Sequence, residues 1–187
     1  MKKLRLLFPM ALCFLSITFI YGVDIQEDLS KNLLRMHVIA NSNSEMDQNI
    51  KLEVRNEVLK NMTEFADTNA LCETANRTLL GLGASYLAQT KIEQCYVPEK
   101  EYKNVRLPEG IYTCVKVVLG SGEGENWWCV AYPPLCFTEE VFGDLSEEGK
   151  KYLAESLDRE ALDTIIKNGD INFRFKIVEL IQKLRFC

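Results

Sequence analysis

The sequence predicts an α+β domain preceded by an apolar leader, and three observations carry that reading. Residues 47–65 and 69–87 place apolar side chains every three or four positions, the period of amphipathic helices. Between residues 91 and 132 the period changes to short runs rich in Val, Ile, Tyr, Trp and Cys, separated by turn residues. After Cys136 the composition returns to helical. The expected order is an N-terminal strand and helices, a central antiparallel β-meander, then C-terminal helices. A chain of 187 residues holds one such domain plus a segment outside the fold.

The leader comes first. Lys2, Lys3 and Arg5 precede an uncharged stretch from Leu6 to Val23, and Asp24 is the first acid. A positive start followed by an apolar run is the pattern of a secretory signal. Eighteen apolar-rich residues also come close to spanning a bilayer, so a retained anchor is the competing reading. Residues 1–23 are therefore read as signal peptide or N-terminal anchor, able to associate transiently with a membrane through 6–23. Residues 24–187 are read as a single extracytoplasmic domain. Without the leader, 19 basic residues face 27 acidic ones, a net charge of −8. An acidic chain with no basic run past Arg5 offers nucleic acid no footprint.

Residues 33–40 form an apolar run that reads as a strand. Asn41-Ser42-Asn43-Ser44 stops it, and Ser44 with Asp47 makes an approximate capping box for the next helix. Along 47–65, Ile50, Val54, Val58, Met62 and Phe65 share one face, with Lys51, Glu53, Arg55, Glu57 and Lys60 mostly outward. A second helix over 69–87 carries Leu71, Ala75, Leu79 and Leu82. Strands are expected at 91–97, 103–107, 111–119 and 127–132, with the glycine-rich stretch 120–126 as a hairpin loop. Helices over 145–157 and 171–184 complete the chain.

Chemistry is sparse. There is no G-x-S-x-G elbow, no Walker loop and no H-E-x-x-H motif, and one histidine cannot build a His-rich metal site. No catalytic residue, metal ligand or cofactor is assigned. His37 paired with a cysteine remains as a rival reading, a secreted thiol enzyme using Cys129 or Cys136. A surface-binding module is the second rival. In an exported chain cysteines become disulfide candidates, and six beyond Cys13 allow 15 full pairings. Cys129 and Cys136 are the best local pair, because Pro133-Pro134 bends the chain between them. Closing that loop would stabilise by roughly 2–3 kcal/mol. Trp127 and Trp128 are adjacent on a strand, so they face opposite sides, and an exposed Trp is a favoured interface anchor. The sequons at Asn61 and Asn76 fall within helices and read as coincidence. Asn41, Ser42, Ser44, Trp127, Trp128, Pro133 and Pro134 are the candidate partner-binding residues. The short polar residues at 41–44 exceed what one helix cap requires.

Several blocks together resemble a known family. They are Leu34-Arg35-Met36-His37-Val38-Ile39-Ala40-Asn41-Ser42-Asn43-Ser44, Asp47-Gln48 and Lys51-Leu52-Glu53-Val54-Arg55. Further on come Cys95-Tyr96-Val97-Pro98, Leu107-Pro108-Glu109-Gly110, Gly124-Glu125-Asn126-Trp127-Trp128-Cys129-Val130 and Pro133-Pro134-Leu135-Cys136-Phe137. The chain resembles the stage II sporulation protein R family over residues 1–137, and weakly at 174–179. Asn43 stands where the family commonly has Asp, and Met36 where Phe is usual. The resemblance implies a signalling protein of endospore formers, exported into the space between forespore and mother-cell membranes. There it would trigger the membrane-embedded peptidase that processes the precursor of sigma-E, acting as a non-catalytic activator.

Overall fold

The computed structural model describes residues 2–62, 66–101, 105–133, 135 and 147–166, without the side chains of 2–8, 11, 18, 21, 147 and 148. In chain order the elements are α1 (Lys2–Asn32), β1 (Leu34–Ile39), α2 (Glu45–Lys60), α3 (Thr68–Gly81), β2 (Ala88–Val97), β3 (Lys100–Glu101) and β4 (Arg106–Leu107). They continue with β5 (Gly110–Leu119), β6 (Asn126–Tyr132), α4 (Glu147–Ser156) and α5 (Arg159–Ile165). The α+β class holds. The expected helix over 171–184 lies outside the described residues, as do Phe65, Pro134 and Cys136.

The strand pairing differs from the expected meander. The main sheet runs β2-β5-β1-β6, with β1 parallel to β5 and antiparallel to β6. β5 and β6 follow one another in sequence but do not pair, so the loop 120–126 is not a hairpin turn. It arches over the end of β1, where the Gly124 amide donates to the Ala40 carbonyl at 2.9 Å and the Glu123 amide to Asn41 at 3.2 Å. The cause is burial: Arg35, Met36, His37 and Val38 are all buried, so β1 needs cover on both faces and both edges. The small β3–β4 pair forms a separate two-stranded sheet.

Two apolar layers follow. On one face Met36, Val38, Val115, Val117 and Cys129 pack under α2 and α3 through Val54, Val58, Leu71, Ala75 and Leu79. On the other, Cys114, Tyr112 and Val130 pack under α1, α4 and α5 through Ile25, Leu29, Leu153, Leu157 and Ile165. Burying a side chain such as Leu29 contributes about 1.5–3 kcal/mol. α2 starts two residues earlier than its periodicity suggests, because Ser44 accepts the Asp47 amide and caps it. α3 ends at Gly81, where Gly83 with φ +74° turns the chain toward β2.

The apolar run at 6–23 and the first buried residues of the domain lie on one helix, α1. In α1, Met10, Leu12, Phe14, Leu15, Ile17 and Ile20 are exposed, whereas burial begins at Gly22 and Ile25. Among the described residues those exposed apolar side chains lie outside both packed layers. Among the described residues no helix is long and apolar enough to cross a membrane, and several side chains of the 6–23 run lie outside that description.

Candidate functional site: the β1–β6 end of the sheet

Antiparallel pairing of Ile39 with Asn126 brings two distant segments to one end of the sheet. One is the β1–α2 corner and the other is the start of β6.

The corner is organised by Asp47. Its carboxylate accepts from Asn41 Nδ2 at 2.9 Å, Ser42 Oγ at 2.5 Å and the Tyr86 hydroxyl at 2.5 Å. Those donors hold the Asp47 carboxyl below the usual aspartate range, Ser42 contributing most. Burial, together with the bond to Asp47, pushes the Tyr86 phenol well above its ordinary value. Asn41 reaches the other way as well, its Oδ1 accepting the Ser121 amide at 3.0 Å. Asn43 Oδ1 accepts the Glu125 amide at 2.8 Å, and Lys51 donates to the Glu125 carbonyl at 3.1 Å. A Cβ at Gly124 would run into the Ser42 carbonyl and Ala40, so only glycine lets the loop lie this close. The surplus of short polar residues at 41–44 thus has an internal account: it ties β1, α2, Tyr86 and the 120–126 loop together. Lys51, expected outward, is buried in the same network, and burial lowers its pKa.

The start of β6 is built from rings. Trp127 and Trp128 do face opposite layers, packing against the α2–α3 core and the α1–α4–α5 core respectively. Both are half-buried. The Arg55 guanidinium lies over Trp127, 4.5 Å from its centroid. His37 stacks on Trp128 at 4.3 Å with the planes 3° apart, and its Nδ1 meets Asn126 Oδ1 at 3.4 Å. Burial lowers the His37 pKa, so the ring is neutral at pH 7, and Nε2 is buried without a hydrogen-bond partner among the described residues.

Pro133 is not part of this cluster. It follows Tyr132 at the far end of β6, a strand length or roughly 20 Å away. There Tyr132 lines a cleft of about 480 Å³ with Lys31, Asn32, Thr113 and Glu155. Pro134 lies outside the described residues.

The cysteines carry a bond the spacing did not reveal. Cys95 and Cys114 form a disulfide between β2 and β5, with Cα atoms 6.2 Å apart. Cross-strand neighbours at this distance suit the bond, but nothing local in the sequence pairs them. Cys129 is also disulfide-bonded, while Cys136 lies outside the described residues. Cys13 and Cys72 are free. Cys72 sits on α3, its thiol 3.4 Å from the Ala88 carbonyl, so among the described residues no free thiol is paired with His37. No group of His, Cys, Asp and Glu among them could hold a metal ion.

Comparison with known proteins assigns the fold a family. Residues 30–141 match the family model described as Stage II sporulation protein R. This chain belongs to that family. A stage II sporulation protein R of Bacillus subtilis is 32% identical over 130 residues, covering 62% of this chain and 58% of the relative. The match thus spans a little over half of that relative's length. No solved structure matches. Within the family region fall both segments of the sheet end, together with β2 and β5.

Proposed function

We propose that this member of the sporulation family is an exported signal that works by binding. It activates the membrane-embedded peptidase that processes the precursor of sigma-E in the mother cell. The observation that carries the reading is family membership, with the 34–44 and 124–130 blocks converging on one end of the sheet. Disulfides at Cys95, Cys114 and Cys129 support an oxidising compartment such as the space between forespore and mother-cell membranes. The exposed apolar stretch of α1 supports a leader or anchor that directs the chain there. Activation needs only that the domain bind the active arrangement of the peptidase better than the inactive one. Half-buried tryptophans on a rigid, hydrogen-bonded platform suit that role.

Co-expression with the peptidase and its precursor substrate tests the reading. The full chain should drive processing, and a version lacking residues 1–23 and kept in the cytoplasm should not. Processing by the retained version would overturn export. Absence of processing by the exported chain would overturn the assigned partner.

A further inference from the structure

β2 is an edge strand of unusual form. Its ten residues pair with β5 in unbroken register from Ala88–Leu119 to Val97–Gly110, with no bulge and no internal proline. Among the described residues nothing pairs with its other edge. Natural edges of this length are normally shortened, bulged or covered, because their free backbone groups invite another strand. At Ala88 that capping is present. Its outward amide donates to Asn76 Oδ1 at 2.7 Å, and Asn76 Nδ2 donates to its carbonyl at 3.4 Å. Leu87, one residue earlier, turns its carbonyl inward to the Gly120 amide. Alternation then directs the backbone groups of Thr90, Ile92 and Gln94 outward. At Thr90, Ile92 and Gln94, among the described residues, no side chain takes the place of Asn76. Ile92 is 45% exposed, although it lies midway along the strand.

We propose that this edge pairs with the same edge of a second copy of the chain, antiparallel and about a two-fold axis at Ile92. The side-chain order is what selects a second copy. Inverting the strand about Ile92 sets Ile92 against Ile92 of the other copy and Thr90 against Gln94. It also sets Lys91 against Glu93, twice by symmetry. A lysine on an edge ordinarily repels a like edge, but here the residue two places on carries the opposite charge. Within one copy Lys91 and Lys116 already lie 2.6 and 3.2 Å from Glu93, on the face opposite Ile92. Pairing extends that charge row across the axis and buries Ile92 on the other side. Asn76 blocks Ala88, so the ladder ends after Thr90 and Gln94 and the contact closes on two copies. The interface is independent of the β1–β6 end and leaves it uncovered, since β2 and β6 are opposite edges of the sheet.

Charge reversal in the full chain, held in density-matched detergent and followed by sedimentation equilibrium, tests the assignment. The wild type should be dimeric. Lys91→Glu and Glu93→Lys should each weaken self-association by roughly tenfold or more, because like charges then oppose one another. Mixed together, the two variants should form a heterodimer, since one copy then presents only acids at these two positions and the other only lysines. Lys91 is largely exposed, so its reversal leaves the fold intact. A monomeric wild type would overturn the proposal. So would association that neither reversal weakens, which would place the contact on α1, or a mixture that stays monomeric.

Discussion

The β1–α2 corner and the start of β6 meet at the same end of the sheet and are constructed in opposite ways. At the corner the polar side chains of Asn41, Ser42 and Asn43 are engaged within the chain, hydrogen-bonding to Asp47, Ser121 and Glu125. At β6 each indole has one face covered, by Arg55 or by His37, and remains half-buried. A saturated polar network has little left to offer a partner, but it fixes what lies beside it. Partly covered aromatics on a fixed strand retain area that binding can bury. In the proposed activation the corner would serve as platform and the tryptophans as contact.

Removing Asp47 is the most severe way to break this contrast. Asp47→Ala strips the acceptor from Asn41, Ser42 and Tyr86 at once and should cost about 3 kcal/mol. Urea unfolding should show a lower midpoint at unchanged slope. An unchanged midpoint would mean that the corner does not hold the platform.

A smaller effect separates the two regions by pH. The folded-state pKa of His37 is lowered, so the unfolded chain binds its proton first as pH falls. Stability is therefore full above the unfolded value near 6.5 and declines as pH drops from there toward the folded pKa. Asp47, whose folded pKa is also lowered, begins to lose its contribution only near pH 4 and below. The stability–pH profile should show both descents, and His37→Gln should remove only the upper one. If the upper descent persists in His37→Gln, it belongs to another group.

Much of the fold is legible in the sequence, and the exceptions have physical causes. The 3–4 spacing of Ile50, Val54 and Val58 and the Ser44 cap locate α2, because those signals are local. The meander expectation fails because β1, in which Arg35 and His37 alternate with Leu34, Met36 and Val38, takes the place between β5 and β6. Both polar residues are in fact buried, Arg35 by donating to the Cys129 carbonyl at 3.2 Å and lying over Tyr112, His37 by stacking on Trp128. Such partners are distant in sequence, so burial on both faces leaves no local signal, and neither does the central place that follows from it. The Cys95–Cys114 bond is hidden for the same reason. The opposite facing of Trp127 and Trp128 is readable from strand alternation alone. The internal use of Asn41 and Ser42 is not, since it depends on Tyr86 and on the 120–126 loop.

Whether the protein works by binding through its tryptophans is decided by replacing Trp127, Trp128 and His37 one at a time in the precursor-processing assay, with circular dichroism on each variant. At least one of Trp127→Ala and Trp128→Ala should abolish processing with a native spectrum, while His37→Gln processes near normally. Full processing by both folded tryptophan variants, or loss confined to His37→Gln, would contradict binding through the tryptophans.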